Sequence, residues 1–488
     1  MTTLRQQLDQ TYRTVTARLP HNPAVRIETR RGKERLVLSP LEELEEPPSL
    51  VALRAAVAAR LPRVDLPELL LEIIARTGFA TAFTHVSERT AHVDHFAVSL
   101  CAVLLAEACN IGIEPLVCQD VPALQRARLV WVSQHYLRTE TLTEGNALLV
   151  AAQNAIPLVH TWGGGDVASA DGIRFVVPIR TVHAGPNPKY YGHRQGVTYY
   201  NLVSDQSTGL HGIPVPGTLR DSLVLLSVLL EQQTELHPTD IMTDSGAYTD
   251  VIFGLFRLLG YRFMPRLADL GSMRLWRMDR TADYGLLNSL ARHRVSPRPI
   301  IRHWEDMLRL AGSLKLAVVH AGSVMRTLQV GERPTKLAQA VAALGRIDKT
   351  LHILSYIDEE AVRRRVLLQL NRHEDRHKLA RTVFHGRRGE LRQRYREGQE
   401  DQLGTLGLVV NMIVLWNTIY MDAALQQLKA ESYPVRAADV ARLTPLRWGH
   451  INMLGRYAFV LPEAIARGAL RPLRNPTAPG DALEEDLP

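Results

Sequence analysis

Five consecutive residues, His373–His377 with the sequence HEDRH, match the H-E-x-x-H pattern of zinc peptidases. Two histidines four positions apart share one face of a helix and could bind one Zn²⁺ together with a third ligand. The longer H-E-x-x-H-x-x-G-x-x-H form is absent, and the chain has 18 histidines, so the short match carries little weight. A zinc peptidase is one alternative for this chain, and histidines that merely line a helix are the simpler one.

Two aspartates could hold a different kind of metal ion. Asp171 ends the predicted strand Val167–Asp171, and Asp244 ends a predicted strand within the sequence TDIMTDSG. Carboxylates at neighbouring strand ends repel each other unless a divalent cation lies between them, and Mg²⁺ prefers such oxygen ligands. Two Mg²⁺ ions can activate a nucleophile and stabilise the leaving oxygen at a phosphodiester. Aspartate is also common at turns and helix N-caps, so capping at Gly172 and at a helix beginning near residue 246 is the alternative.

The helix predicted over residues 358–384 supplies a third carboxylate. Glu374 continues an apolar stripe of residues spaced four apart, Val362, Val366 and Leu370. A carboxylate on an inward-facing stripe needs a partner, which makes Glu374 the third candidate metal ligand. Asp375 is rotated about 100° away from the stripe and has basic neighbours, so we expect it to be an exposed, ion-paired acid.

The strands that would position both aspartates are predicted within residues 161–265. After a Gly-rich stretch, strands are expected at Val167–Asp171 and Ile173–Val182 and in the sequences QGVTYYNLVSD, TDIMTDSG and YRFMP. Helices are expected in PGTLRDSLVLLSVLLEQQ and AYTDVIFGLFRLLG. The order β-β-β-α-β-α-β is that of an RNase H-like α/β core with a mixed five-stranded sheet. In that fold the first and fourth strands are central neighbours, and open α/β sheets carry their chemistry at the carboxyl ends of strands.

Helical patterns predominate in the rest of the chain and predict a helical insertion and helical flanking domains around the core. The predicted division is an N-terminal helix and linker (1–50), a helical domain (51–160), the first part of the RNase H-like core (161–265), a helical insertion (266–355), the second part of the core with the catalytic helix (356–430), a C-terminal helical region (431–474) and a disordered tail (475–488).

Composition limits the class of protein. The formal net charge of +8 favours an anionic partner such as nucleic acid. Three cysteines without a C-x-x-C spacing predict reduced thiols in a cytosolic protein. The N-terminus has no secretory h-region, and the longest apolar runs, near 223–230 and 408–421, are shorter than the roughly 18 residues of a membrane span. We therefore expect a cytoplasmic protein with no membrane partner.

Basic and aromatic residues cluster after the second predicted strand. The sequence PNPKYYGHRQG combines Lys189 and Arg194 with Tyr190, and cations beside stacking rings suit the backbone and bases of nucleic acid. Tyrosines packed beneath a loop are the alternative. The candidate contacts to DNA or within the active site are Arg174, Lys189, Tyr190, Arg194, His377 and Arg388.

Several long stretches are similar to one protein family. They include SADGIRFVVPIRTVHAGPNPKYYG, IMTDSGAYTDVIFGLFRLLGYRFMPRLAD, NRHEDRHKLARTVFHGRRGELRQRYREGQED and LTPLRWGHINMLGRYAF. Together they resemble the C-terminal, catalytic half of transposases of the Tn3 family, which serve the class II, cointegrate-forming transposons. The similarity runs from about residue 60 to about residue 473 of this sequence.

The resemblance implies an RNase H-like fold with DDE catalysis of DNA transposition. The family's S-x-D-G-x-R-F, M-T-D-x-x-x-x-x-D and N-R-x-E-x-R-H motifs place its two aspartates and its glutamate on Asp171, Asp244 and Glu374. It further implies that these residues hold two Mg²⁺ ions, which Mn²⁺ can replace. Activated water would cut the 3′ ends of the transposon, and the freed 3′-hydroxyls would attack target DNA. The implied partners are the terminal inverted repeats, target DNA and a second copy of the chain in a homodimer.

Two departures from the family pattern bear on these expectations. Family members usually have glycine where His373 stands, so the H-E-x-x-H match is interpreted as incidental, and an imidazole lies next to the expected catalytic glutamate. Full-length members are about twice as long as this chain, and we expect the missing N-terminal half to recognise the terminal inverted repeats. A truncated, non-catalytic DNA-binding regulator that acts through retained dimerisation is therefore the second alternative.

Overall fold

The computed structural model describes residues 1–30, 32–87, 94–217, 224–245, 248–329 and 334–476. Its strands are β1 (Val25–Arg30), β2 (Lys33–Leu38), β3 (Val64–Asp65), β4 (Val167–Val176), β5 (Gly185–Pro186), β6 (Gln195–Ser204), β7 (Gly209–Pro216), β8 (Asp240–Thr243), β9 (Arg262–Phe263), β10 (Trp276–Arg277), β11 (His293–Arg294) and β12 (Ile451–Asn452).

The described α-helices precede, separate and follow these strands along the chain. They are α1 (Thr2–Arg18), α2 (Pro48–Ala58), α3 (Leu66–Thr77), α4 (Phe96–Ala108), α5 (Arg126–Tyr136), α6 (Thr139–Asn154), α7 (Pro188–Tyr191), α8 (Leu225–Leu230), α9 (Asp250–Leu259), α10 (Arg298–Arg302), α11 (Trp304–Lys315), α12 (Ala321–Gln329), α13 (Lys336–Asp358), α14 (Glu360–Val383), α15 (Arg396–Ala430), α16 (Ala437–Val440) and α17 (Glu463–Ala466). The predicted α/β class is confirmed.

Five strands form the main sheet in the order β7-β6-β4-β8-β9, and the short strand β5 also pairs with β6. β4 pairs antiparallel with β6, and β6 pairs antiparallel with β7. On the other side β4 pairs parallel with β8, and β8 pairs parallel with β9. The sheet is therefore mixed, and its first and fourth main strands are central neighbours, as the sequence predicts.

The predicted turn at Gly172 is wrong. β4 continues through Gly172 to Val176 without a break, so the second predicted strand, Ile173–Val182, is the latter part of β4 and ends early. Gly172 serves packing instead of a turn, because a side chain there would collide with Thr198 on β6. The two predicted strands are thus a single long strand.

The sequence prediction also missed β7, where proline and glycine residues interrupt the β-type pattern. Pro216 ends this strand instead of beginning a long helix. The described part of that predicted helix is α8, and residues 218–223 lie outside the described ranges. The two errors offset each other, because splitting β4 added one strand and missing β7 removed one. The predicted order β-β-β-α-β-α-β therefore matches β4, β6, β7, α8, β8, α9 and β9.

Helices cover both faces of the main sheet, because alternate residues of each strand point to opposite sides. Ile173 and Phe175 of β4 belong to a buried cluster with apolar residues of α4 and α15. Ala168 and Ala170 of the same strand belong to a second cluster with α8, α9 and α13. The mixed sheet therefore lies between two helical layers.

α15 contains the apolar run 408–421 that was predicted to be a buried helix. In the described part of the chain it is the one helix long and apolar enough to cross a membrane, and 83% of its most apolar window is buried inside the fold. Its apolar residues pack with those of α3 and α4 in one cluster. The burial agrees with the predicted core helix.

Residues 1–50 contain more structure than the predicted helix and linker. α1 is followed by an antiparallel hairpin of β1 and β2, in which Val25 and Leu36 are buried. Tyr12 of α1 stacks on Tyr284, with ring centroids 4.2 Å apart. The predicted linker is wrong for residues 25–30 and 33–38, because the alternation of apolar and charged residues there is that of paired strands with one buried face.

Two other predicted segments contain less helix than expected. In the predicted insertion, 266–355, residues 266–297 form the parallel pair of β10 and β11 with irregular turns, and α-helix begins at Arg298. In the C-terminal region, 431–474, α16 and α17 have four residues each, because recurring prolines prevent longer helices. Of the predicted disordered tail, residues 477–488 lie outside the described ranges.

Candidate active site

Asp171 and Asp244 occupy adjacent positions in the sheet. The parallel register pairs Ala170 of β4 with Thr243 of β8, and each aspartate is the next residue along its chain. Equivalent positions of a parallel pair face the same side, and both side chains reach solvent, Asp171 with 38% and Asp244 with 60% exposure. Asp171 lies inside β4 instead of at its end, because β4 continues beside β6 after β8 has ended.

Capping of a turn at Gly172 or of α9 does not explain the two aspartates. Asp171 lies in the middle of a continuous strand, so it caps no turn at Gly172. Residues 246 and 247 lie outside the described ranges, and α9 begins at Asp250 with Thr249 as its N-cap. Asp244 instead forms a long ion pair with Arg266, whose Nη1 lies 3.8 Å from Oδ1. The capping alternative is therefore wrong for Asp171, and Asp244 does not cap α9; the predicted helix start at 246 lies outside the described residues.

The apolar stripe of α14 packs on the sheet as predicted. The buried cluster consists of Val366, Val167, Met242 and Met264, with Val362 and Leu370 at its border. Glu374 is the next position on this stripe and is exposed. Each step of four residues turns about 40° around the helix, so at this level His373 and His377 face the sheet instead. Asp375 pairs with Lys378, whose Nζ lies 2.9 Å from Oδ1, so the predicted exposed ion pair is confirmed.

α14 runs parallel to β4 and brings Glu374 level with the aspartates. Glu374 lies eight residues beyond Val366, about 12 Å along the helix axis. Val167 of β4 packs in one cluster with Val366 of α14. Asp171 lies four residues beyond Val167, about 13 Å along the strand. Glu374 therefore lies at about the level of the two aspartates, which are beside the carboxyl end of β8. Within the described ranges, however, no three His, Cys, Asp or Glu side chains are close enough together to hold a metal ion.

His373 and His377 are buried between α14 and the sheet. His373 Nδ1 lies 2.9 Å from Ser169 Oγ, and its Nε2 lies 2.8 Å from Asn201 Oδ1. His377 Nε2 lies 3.1 Å from Asn201 Nδ2, and its Nδ1 lies 3.9 Å from Asp171 Oδ2. Burial lowers the pKa of His373 to about 3 and the pKa of His377 well below its ordinary value, so both rings are neutral at pH 7.

The zinc-peptidase alternative finds no support in this arrangement. A zinc ligand needs a ring nitrogen whose lone pair points at the ion, but both nitrogens of His373 are bonded within the protein, to Ser169 and Asn201. The rings of His373 and His377 meet edge to face, 4.5 Å apart. Glu374 is exposed, whereas the two histidines are buried.

Three of the predicted DNA contacts form an exposed cluster beside β4. The guanidinium of Arg174 lies 3.7 Å from the ring centroid of Tyr190, and Lys189 Nζ lies 4.9 Å from the same centroid. Tyr190 is 43% exposed. Two cations thus share one accessible ring, which is a suitable surface for a polyanion with bases.

The other three predicted contacts lie apart from this cluster. Arg194 forms a long ion pair with Glu390, at 3.7 Å. Arg388 is exposed in the segment after α14 and has a backbone φ of 59°. His377 is buried, so it faces Asp171 inside the protein instead of lying on a DNA-facing surface.

Asn201 and Gln369 are the residues of this region that the sequence prediction missed. Asn201 lies directly opposite Asp171 in the pair of β4 and β6. Gln369 Nε2 donates to Ser169 Oγ at 3.1 Å and to the Val203 carbonyl at 2.9 Å. The available signal was a single amide in the otherwise apolar stretch TYYNLV, since a buried amide requires several partners.

A family model described as the Tn3 transposase DDE domain matches residues 68–457. The matched range includes all three candidate carboxylates, the main sheet and α14. The chain belongs to this family, as the resemblance predicted.

Named relatives agree with the family. The chain is 54% identical over 467 residues to the transposase for transposon gamma-delta of Escherichia coli (strain K12), which covers 96% of this chain and 47% of that protein. It is 50% identical over 474 residues to the transposase for transposon Tn4556 of Streptomyces fradiae, with coverage of 97% and 52%. It is 34% identical over 442 residues to the transposase for transposon Tn1546 of Enterococcus faecium, with coverage of 91% and 44%. The chain thus spans about half the length of these relatives.

Proposed function

We propose that this chain is the catalytic region of a DNA transposase, with Asp171, Asp244 and Glu374 as its metal-binding residues. The observation that carries the proposal is the adjacency of the two aspartates on neighbouring parallel strands, in a chain of the Tn3 transposase DDE domain family. The position of Glu374 along α14, at about the same height as the two aspartates on the sheet, supports it as the third metal ligand. The strand order β7-β6-β4-β8-β9, antiparallel on one side of β4 and parallel on the other, supports an RNase H-like core.

Three carboxylates form an all-oxygen donor set, which suits Mg²⁺ and also Mn²⁺. Two such ions, when bound, supply an activated water and charge stabilisation at a phosphodiester. The fold holds the three carboxylates in place. Both aspartates are fixed by the sheet, and Glu374 is fixed by the packing of the apolar stripe of α14. The cluster of Arg174, Lys189 and Tyr190 would bind the DNA backbone and stack on a base.

The substrates and partners follow from this proposal. The reaction is cleavage at the 3′ ends of the transposon, followed by attack of the freed 3′-hydroxyls on target DNA, in a homodimer in the cytoplasm. Recognition of the terminal inverted repeats by a segment outside this chain stays a prediction. The division into core, helical insertion and flanking domains is likewise part of the proposal.

A segment exchange tests the proposed function. Because the chain is 54% identical to the part of the gamma-delta transposase that it matches, it can replace that segment in the relative. We expect the exchanged protein to nick DNA carrying gamma-delta ends and to join them to target DNA in Mg²⁺ or Mn²⁺, and to do neither in EDTA. Parallel assays with the unmodified relative show that the DNA and conditions are suitable.

Two substitutions connect that activity to the proposed site. Asp171→Asn and Asp244→Asn in the exchanged protein should each lower nicking by at least about a hundredfold, because each removes a metal ligand. A protein that binds the ends but never cuts them, while the unmodified relative is active, would contradict the proposal. That result would favour the non-catalytic DNA-binding regulator.

A further inference from the structure

A chain of hydrogen bonds leads from the interior of the protein to His377, whose Nδ1 lies 3.9 Å from the Asp171 carboxylate. It begins at Gln369, which donates to Ser169 Oγ, and continues through His373 and Asn201 to His377. We call Ser169, His373, Asn201 and His377 the relay. His373 and Asn201 each use one polar atom toward the preceding member and a different one toward the next. The relay can therefore have a fixed direction.

The backbone determines that direction at both ends. Asn201 Nδ2 donates to the Tyr199 carbonyl at 3.1 Å, which fixes the orientation of its amide. The amide oxygen therefore faces His373 Nε2, which must carry a proton. Gln369 Nε2 donates to the Val203 carbonyl, so its amide orientation is fixed as well, and Ser169 is left to donate to His373 Nδ1.

The same amide determines the tautomer of His377. Asn201 Nδ2 is a donor, so His377 Nε2 must accept and cannot carry a proton. The ring proton of His377 is then on Nδ1, which lies 3.9 Å from Asp171 Oδ2. The relay thus presents an N–H, and not a lone pair, to the carboxylate.

We infer that His373 and Asn201 are positioning residues for Asp171, acting through the Nδ1–H of His377. This inference rests on the proposed function, in which Asp171 binds metal. Carboxylates that bind metal are commonly oriented by a hydrogen-bond donor outside the ligand set. At 3.9 Å an N–H attracts Oδ2 electrostatically and favours one orientation of the carboxylate, whereas a lone pair in that place would repel it.

The tautomers can be measured on the whole chain without metal, DNA or catalysis. In protein labelled with ¹⁵N-histidine, nitrogen–proton correlation spectra distinguish protonated from bare ring nitrogens, and the signals of each ring are identified by their loss in His377→Gln and His373→Gln. We expect a proton on Nδ1 of His377 and on Nε2 of His373. A His377 ring that is protonated on Nε2 would overturn the inference.

Asn201→Asp should reverse the relay with little change in shape. A carboxylate at position 201 accepts from both histidines and donates to neither, so the proton of His377 should move to Nε2 and leave a lone pair facing Asp171. We expect the Mn²⁺ concentration for half-maximal nicking by the exchanged protein to rise about tenfold. An unchanged His377 tautomer, or an unchanged Mn²⁺ requirement, would overturn the inference.

Asn417 supplies a matched control. It is buried, somewhat more fully than Asn201. Its Nδ2 donates to the Pro445 and Arg447 carbonyls at 2.7 Å, and its Oδ1 lies 2.8 Å from His450 Nε2. Asn417→Asp should lower the Tm at least as much as Asn201→Asp and leave the Mn²⁺ requirement unchanged. An equal rise in both variants would show a merely structural role. If the wild-type exchanged protein has the expected tautomers but no metal-dependent nicking, the hydrogen bonds are right, but the proposed function and the positioning role both fail.

Discussion

Two carboxylate sites in this protein have opposite surroundings. Glu72 of α3 is fully buried, and its two oxygens accept hydrogen bonds from Arg76, Trp416, Tyr420 and Arg471. Asp171 and Asp244 lie side by side with much of each side chain in solvent. Asp171 Oδ2 lies 3.9 Å from Nδ1 of the neutral His377, and the ion pair of Asp244 with Arg266 is long, at 3.8 Å.

The difference indicates that the Glu72 site serves stability, and it supports the proposed metal-binding role of the aspartates. A buried carboxylate has to be satisfied by its neighbours, and once satisfied it has no oxygen lone pair left for a ligand. Exposed carboxylates held next to each other on a rigid sheet repel and gain from a cation. Glu72 therefore holds α3, α15 and the C-terminal segment together, whereas the exposure of the aspartates is consistent with the metal site proposed above.

Removal of the Glu72 carboxylate should have the largest effect on stability. Glu72→Ala leaves Arg76 and Arg471, both largely buried, without that acceptor. We expect a loss of about 3 kcal/mol in the free energy of unfolding, the usual result of breaking a buried ion pair. Urea denaturation followed by circular dichroism measures it, and a loss below about 1 kcal/mol would show that the site is not a stability element.

The pH dependence of stability should show the same site. Burial alone would raise the pKa of Glu72, but the hydrogen bonds from Arg471, Tyr420, Trp416 and Arg76 together lower it from its ordinary value of 4.5. Its stabilising contribution is therefore complete above pH 4.5 and is lost as the pH falls through the lowered pKa. Wild-type protein should lose more unfolding free energy between neutral pH and pH 3 than Glu72→Gln does; parallel slopes would contradict this.

The exposed cluster beside β4 should contribute moderately to DNA binding. Tyr190→Ala removes the ring that Arg174 and Lys189 share, and we expect DNA affinity to fall by about 1 kcal/mol, roughly fivefold. Tyr190→Phe retains the ring and should bind as the wild type does. Fluorescence anisotropy with labelled DNA at fixed salt measures both, and equal affinities for all three proteins would exclude the ring as a contact.

Asp244→Asn should have the smallest effect on stability, although it should stop nicking. The side chain is exposed and its ion pair with Arg266 is long, so we expect the free energy of unfolding to change by less than about 0.5 kcal/mol. Denaturation under the conditions used for Glu72→Ala provides the comparison. A loss as large as that of Glu72→Ala would remove the distinction between the two sites.

Much of this arrangement can be predicted from the sequence, because local patterns carry it. The β-type stretch ending at Asp244 and the stripe of α14 leading to Glu374 are both visible as simple periodicities. The element order predicts that β4 and β8 are neighbours, and the register agrees.

The errors arose where tertiary packing determines the outcome. Gly172 resembles a turn residue in the sequence, but it is glycine because Thr198 fills the space beside it. The side chain of Glu374 was expected to point inward, yet steps of four residues turn gradually around the helix, and His373 and His377 face the sheet at that level. The partners of His373 come from β4 and β6, about 200 residues earlier in the chain, and no local pattern shows that pairing. The H-E-x-x-H match therefore suggested a metal ligand where the structure has a hydrogen-bonded core histidine.

Glu374 and Asp375 allow the most direct test of the proposed site, because they are adjacent acids on one helix. In the exchanged transposase, nicking of gamma-delta ends in Mg²⁺ is measured for Glu374→Gln and Asp375→Asn. The account predicts a loss of more than about a hundredfold for Glu374→Gln, beyond the effect of an outer-shell partner, and activity within about twofold of the wild type for Asp375→Asn, whose ion pair with Lys378 is exposed. Full activity of Glu374→Gln, or equal losses in both variants, would contradict it.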